Sequence, residues 1–318
     1  MNISNAVCSP GPAMLERSTS TRRTPSRVVV IGAGGFIGSA ICTRLAADKL
    51  PVLALTRKEL DLLKPEAAAT LQRLLRADDS VVFVSALAPT RNNAMLIDNL
   101  RMAEAVCAAL AAQPVGHLVY VSSDAVYSDD ANPVTERSCQ QPSSLHGVMH
   151  LAREIMLRAA LKLPLAILRP TLIYGAKDPH NGYGPNRFRR LAAKGEAITL
   201  FGEGEEKRDH VHVDDVAALT SAVLQHRSTG TLNIATGRSA SFREVAEMVV
   251  GLSPRPVEIR GTPRQNPITH RHFDITDCLK AFPEFHYIPL RDGLARVAKE
   301  GKDAAGNQSS LEASARQA

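Results

Sequence analysis

The chain has 318 residues, 44% of them hydrophobic and 22% charged, with a formal net charge of +6, five cysteines and no tryptophan. That balance is ordinary for a globular protein large enough to bury a sizeable core. It excludes a membrane span, because no apolar run reaches the ~18 residues required, and it argues against an aromatic stacking platform for single-stranded nucleic acid. The cysteines, at 8, 42, 107, 139 and 278, have neither paired nor metal-type spacing, so a reduced, cytoplasmic protein is expected. Much of the N-terminal positive charge lies early, at Arg17, Arg22, Arg23 and Arg27, and no dense basic run follows. An anionic small molecule is therefore a better-matched partner than nucleic acid or a membrane.

Residues 1–26 are rich in Ser, Thr, Pro and Arg and are expected to form a disordered leader. "RVVVIGAGGFIGSAICTRLAAD" then reads as an apolar strand, a glycine turn and a helix whose inward face carries Phe36, Ile37, Ile41 and Leu45. Gly32, Gly35 and Gly38 form Gly-x-x-Gly-x-x-Gly. In that context the first glycine permits the tight turn, the second lets backbone approach a pyrophosphate, and the third lets helix pack on strand. The free N–H groups of the helix start then face the phosphates of a dinucleotide.

A second strand, "PVLALTR", ends in Thr56 and Arg57 where an acid would hold an adenosine ribose. An acid repels a 2′-phosphate and a guanidinium pairs with it, which favours NADP(H) over NAD(H). "SVVFVSALA", the helical "AMLIDNLRMAEAVCAAL", "HLVYVSS", a helix from about His146 and "LPLAILRP" continue the alternation. This order predicts an α/β protein with a Rossmann-type, doubly wound parallel sheet, in residues 27–176. A loop rich in Gly, Pro and Asn, "AKDPHNGYGPNRF", opens a smaller C-terminal substrate lobe, 177–301, with some C-terminal elements completing the first core. The weakly hydrophobic tail 302–318 is expected to be disordered.

Taken together, the glycine motif, "ELDL", "VSALAP", Asn99 in its helix, "YVSSDAVY", "LRPTLIYG", "GPNRF", "FGEGEEKRDHVHVDDVA" and "LNIATG" resemble, in order and spacing, the extended short-chain dehydrogenase/reductases of the NAD-dependent epimerase/dehydratase family. The resemblance runs from about Arg27 to Leu290 and implies action on nucleotide sugars, a homodimer built on the helices near 91–112 and 146–160, Asp61 and Leu62 flanking the adenine, and Ala86 and Ala88 lining the coenzyme groove. It also implies that Ser123 is the catalytic hydroxyl, that Asp124 stands where some dehydratases carry an acid, and that Arg208 meets a substrate diphosphate. Ala125 replaces the glutamate that accompanies that acid. Leu172 replaces an asparagine that often touches the sugar nucleotide, a loss for which Asn186 can compensate.

The family's Tyr-x-x-x-Lys pair falls on "SSLHGVMH", so the resemblance puts His146 at the tyrosine position and His150 at the lysine position. A phenol needs a neighbouring cation to act as a base near neutrality, whereas an imidazole, with an ordinary pKa of about 6.5, does not. His146 is therefore a candidate acid/base and His150 a donor to the coenzyme ribose. Two other readings stand beside this one: a dinucleotide-binding regulatory or interaction protein without turnover, and an i,i+4 metal pair, which lacks the Glu of the zinc-hydrolase motif and any evident third ligand.

Overall fold

The computed structural model describes residues 14–265 and 267–301, which divide into two compact units. In chain order the first unit holds β1 (Val28–Ile31), α1 (Phe36–Ala47), β2 (Val52–Leu55), α2 (Ala67–Leu74), β3 (Ser80–Phe83), α3 (Asn93–Ala112), β4 (His117–Val121), α4 (Leu145–Ala160) and β5 (Leu165–Pro170). The second unit begins at Leu172 with β6 (Leu172–Tyr174), α5 (Pro185–Lys194), β7 (Ile198–Phe201) and β8 (Lys207–His212). Next come α6 (Val213–Gln225), β9 (Gly230–Ile234), β10 (Ser239–Ser241), α7 (Phe242–Gly251), β11 (Ile259–Thr262) and α8 (Thr276–Ala281). Val216–Ala235 and Phe273–Phe285 belong to the first unit and Thr236–His272 to the second. The break thus falls after Thr171, five residues ahead of the 176 expected, because β6 pairs with β8 and not with β5.

The first unit is a six-stranded sheet in the order β2-β1-β3-β4-β5-β9, with every pairing parallel. All residues of β1, β3 and β4 are buried, as expected of strands covered on both faces. One cluster packs Val29, Ile31, Phe83 and Tyr120 of the strands against Leu71, Met102, Val106 and Leu157 of α2, α3 and α4. Because β2 and β3 flank β1 on opposite sides, the chain leaves β1 in two directions and opens a crevice at its carboxyl end. The second unit has a three-stranded sheet, β10-β8-β6, and a two-stranded one, β11-β7, around a core containing Tyr174, Phe188, Leu200 and Phe242.

The expectation of a disordered leader is corrected over residues 14–26. Glu16 N donates to Thr229 O at 2.8 Å, Thr229 N returns a bond to Glu16 O at 2.9 Å, and Leu15 is buried. The strand β9 is the last of the sheet, and an edge strand offers a row of hydrogen-bonding groups to any passing segment. Composition could not disclose that edge. Residues 1–13 and the tail 302–318 lie outside the described residues.

Candidate active site

The glycine turn is built by close approach. Gly32 has φ +100°, and a Cβ placed there would sit 2.7 Å from the backbone of Ser85, at the end of β3. A Cβ on Gly38 would lie 2.1 Å from Gly32 O, so only glycine lets α1 start this near β1. Gly35 is the N-cap of α1 and no side chain caps the helix. Phe36 and Ile37, the first two helical residues, are half-buried, leaving the helix entrance formed by backbone. Backbone N–H groups at an uncapped helix start, as in this glycine cradle, are the kind of group that binds phosphate.

At the end of β2 the Thr56 backbone N–H donates to Glu59 Oε2 at 3.0 Å. The exposed Arg57 pairs through Nε with Asp61 Oδ2 at 3.2 Å, while Asp61 Oδ1 accepts from Leu63 N at 3.1 Å. The Leu63 N–H, and then Arg57, hold the Asp61 carboxyl below its ordinary range. An exposed pair of this kind is weak and exchanges partners readily. The Leu62 side chain is buried in the core with Leu60 and Leu71.

The loop that follows β3 carries Ala86 and Ala88, both half-buried. Its course is set from beneath by two polar residues. Asn99 Oδ1 accepts from Leu87 N at 2.9 Å, and Asn99 Nδ2 donates to Leu87 O at 3.0 Å. The fully buried Arg153 donates to Ser85 O at 2.8 Å and to Asn99 O at 2.9 and 2.7 Å, with its guanidinium 4.9 Å from the Phe83 ring centre.

Ser123 caps the short 124–126 turn, its Oγ accepting from Ala125 N at 3.1 Å and lying 3.4 Å from Asp124 Oδ1. The head of α4 presses on that turn. Ser144 Oγ caps the helix by accepting from Gly147 N at 3.2 Å, and a Cβ at Gly147 would fall 2.0 Å from Ala125 O. Gly147 therefore lets the head of α4 pack closely on the Ser123 turn. His146 is half-buried and His150 buried, with the two rings edge to face at 4.7 Å. His150 Nδ1 lies 2.8 Å from the Tyr120 hydroxyl, and burial, followed by the charges of His146 and Arg153, pushes His150 well below the ordinary imidazole pKa.

Below this, a buried chain of polar contacts anchors α4 to the sheet. Ser122 Oγ donates to Glu154 Oε1 at 2.7 Å, Arg169 grips both Glu154 oxygens at 2.9 and 2.6 Å and donates to Tyr127 Oη at 2.8 Å, and Tyr127 donates to Asn233 Oδ1 at 2.7 Å. The Glu154 carboxylate raises the Arg169 pKa against the cost of burial. Sequence reasoning missed Tyr120, Arg153, Glu154 and Arg169. A signal was present: His150, Arg153, Glu154 and Leu157 have the i, i+3, i+4, i+7 spacing of a buried helical stripe, and charges on such a stripe need partners.

In the second unit, Asn186 holds the "YG" turn, its Oδ1 accepting from Gly175 N at 3.3 Å and its Nδ2 donating to Ile173 O at 3.3 Å. Both ends of its amide thus serve the turn, which accounts for the asparagine without a ligand. Arg208 donates to Thr269 Oγ1 at 2.9 Å and to Lys207 O at 2.9 Å. His212 Nδ1 accepts from Asp214 N at 3.2 Å. Among the described residues no group of three or more His, Cys, Asp or Glu gathers to hold a metal, and none of the helices is long and apolar enough to cross a membrane.

The fold and the cradle define a dinucleotide-binding protein of the extended short-chain dehydrogenase type. Residues 28–235 match the NAD dependent epimerase/dehydratase family, and the chain belongs to it. Among curated relatives, a dTDP-4-dehydro-6-deoxy-D-allose reductase of Streptomyces bikiniensis is 28% identical, covering 88% of this chain and 98% of that protein. A UDP-glucose 4-epimerase of Thermotoga maritima, solved with UDP-glucose, is similar in fold, with a TM-score of 0.76 at 20% identity over 88% of this chain and 99% of its own. MoeE5, solved with UDP-glucose and NAD, has a TM-score of 0.73 at 26% identity over 88% of this chain and 99% of its own.

Proposed function

We propose that this protein is an NADP(H)- or NAD(H)-dependent epimerase or reductase acting on an alcohol or ketone of a nucleotide sugar or a similar sugar-like molecule, with His146 in the acid/base role. The observation that carries the reading is the close fit of Gly147 against Ala125 O, which seats the head of α4, the segment that bears His146, against the turn that Ser123 caps. The residue types at the cradle fit the coenzyme: Gly32, Gly35 and Gly38 leave room for a pyrophosphate, the first turn of α1 offers its N–H groups, and Arg57 is the cation for a 2′-phosphate. The names of the relatives support the substrate class.

The nicotinamide ring supplies the hydride donor or acceptor when the coenzyme is bound. In the oxidative direction His146 takes the proton from the sugar hydroxyl, and in the reductive direction it returns a proton to the same oxygen. Ser123, whose Oγ is already oriented by Ala125 N, directs its own proton to that oxygen and fixes its place. Asp124 lies beside Ser123 and acts through the same turn. Arg208 is the guanidinium that the resemblance assigns to a substrate's anionic group. A homodimer through α3 and α4 is part of the proposal, supported by the exposure of Ile97, Val148 and Ile155 on these helices.

The test is a coenzyme and sugar-nucleotide panel read by nicotinamide absorbance. His146→Ala is expected to lower turnover by a factor of about 10²–10⁴ while coenzyme affinity stays within about twofold. Coenzyme-induced thermal stabilisation with no turnover on any member of the panel would instead assign the chain to the binding-only class. Ile155→Arg is expected to convert the dimer to monomer by light scattering, and an unchanged mass would remove that interface.

A further inference from the structure

The lysine position holds a histidine, and one nitrogen of that histidine is already engaged. The Tyr120 hydroxyl lies 2.8 Å from His150 Nδ1 with both groups buried. The direction of the proton follows from the surroundings. Among the described residues the buried Tyr120 hydroxyl has one hydrogen-bond partner, His150 Nδ1; were Nδ1 the donor, the phenol proton would be buried without an acceptor, which is costly. The phenol proton therefore goes to Nδ1. Burial keeps the ring neutral, and the nearby charges of His146 and Arg153 act in the same direction, so the one ring proton belongs on Nε2.

We propose that Tyr120 is a positioning residue that locks His150 as the Nε2–H tautomer, so that this position offers the coenzyme ribose a single neutral donor instead of an ammonium. The proposal rests on the reading that the site holds a nicotinamide coenzyme. It gives the two substitutions one cause. A lysine at 150 could not accept the Tyr120 proton, since an ammonium has donors only, and it would place a second buried cation beside Arg153. With no ammonium there, a tyrosine at 146 would lack the neighbour that favours its phenolate. The imidazole of His146 needs no such neighbour.

The experiment uses full-length protein with ¹⁵N-labelled histidine, free of coenzyme at pH 7, with the His150 ring signals assigned by their loss in His150→Gln. Wild type is expected to show the Nε2–H pattern. Tyr120→Phe keeps the ring against Phe83 and removes only the hydroxyl, and it is expected to give mixed tautomers or Nδ1–H and to raise the coenzyme Kd about tenfold. An Nδ1–H or doubly protonated His150 in wild type overturns the proposal even if the variant does not fold. So does a Tyr120→Phe spectrum identical to wild type, or a changed tautomer with an unchanged Kd. Wild type that binds neither NAD(H) nor NADP(H) removes the ribose contact together with the function proposed above, and the coenzyme-free spectrum tells the two failures apart.

Discussion

The loop that enters α1 and the head of α4 meet one demand, the approach of a helix to a neighbouring carbonyl, and both answer it with glycine: a Cβ would fall 2.1 Å from Gly32 O in the first and 2.0 Å from Ala125 O in the second. They differ in what the approach serves. At the start of α1 the backbone itself is the proposed binding surface, so the side chains around it have little to alter. At the head of α4 the backbone is only the frame. Gly147, Arg153 and Glu154 hold the helix in place, and the residues proposed to carry the chemistry stand at 146 and 150, where they can change without moving the helix. Frame and chemistry are separable at the second region and identical at the first.

The largest expected effect tests the frame of α4. Glu154→Gln leaves the Arg169 guanidinium buried with a neutral partner, and removing one member of a buried pair costs about 3–5 kcal/mol. Urea unfolding would measure it, and a loss below about 1 kcal/mol would mean that the Glu154–Arg169 pair does not anchor α4. Slightly smaller is the matched pair Gly38→Ala and Gly147→Ala, each expected to destabilise by about 2–3 kcal/mol through a backbone clash. The comparison predicts that they diverge in function: Gly38→Ala loses coenzyme binding outright in calorimetric titration, whereas Gly147→Ala loses turnover first. If both lose coenzyme equally, the distinction between the two regions fails.

How much of this was legible follows from the same distinction. The glycine cradle could be read because backbone geometry admits one residue type at each position, so Gly32 and Gly38 declare themselves. The parallel sheet was legible because strands covered on both faces read as unbroken apolar runs, as "RVVVI" does. The partners of α4 were not, because Tyr120, Ser85 and Asn99 stand 30, 68 and 54 residues from the side chains they meet, and no local pattern encodes such a pairing. That the Leu62 side chain turns to the core was not legible either, because a motif match places a backbone and does not aim a side chain. The leader was expected to be disordered because its sequence holds few apolar residues, yet the unpaired edge of β9 supplies hydrogen bonds that sequence composition does not reveal.

A third prediction separates the regions by pH. The glycine cradle contains no titratable group, while the head of α4 contains His150, held neutral by burial, and β4 contains His117, pushed down to about 4 by the same cause. Their folded pKa values lie below that of the unfolded chain, so the unfolded state binds the extra protons. The stabilisation is complete above about pH 6.5 and is lost as pH falls toward the folded values, at about 1.4 kcal/mol per pH unit for each such histidine. Urea midpoints at pH 7, 6 and 5 should fall accordingly, and His150→Gln should remove one histidine's share of the slope. An unchanged slope would mean that His150 takes up its proton in the folded protein.

The smallest effect concerns Arg57, beyond the glycine cradle, the residue proposed to meet the coenzyme through its side chain. Arg57 is exposed and pairs with Asp61 at 3.2 Å, a contact worth well under about 1 kcal/mol in water, so its removal should leave stability within about 0.5 kcal/mol. Its effect should appear only where a 2′-phosphate is present. A charge-assisted contact of this kind contributes about 1–2 kcal/mol, so Arg57→Ala should weaken NADPH about five- to thirtyfold and leave NADH unchanged. Asp61→Asn frees the guanidinium from its present partner and should shift the preference further toward NADPH. Equal losses for both coenzymes on Arg57→Ala would show that Arg57 serves the adenine or the fold, and would make the backbone the whole of the coenzyme site.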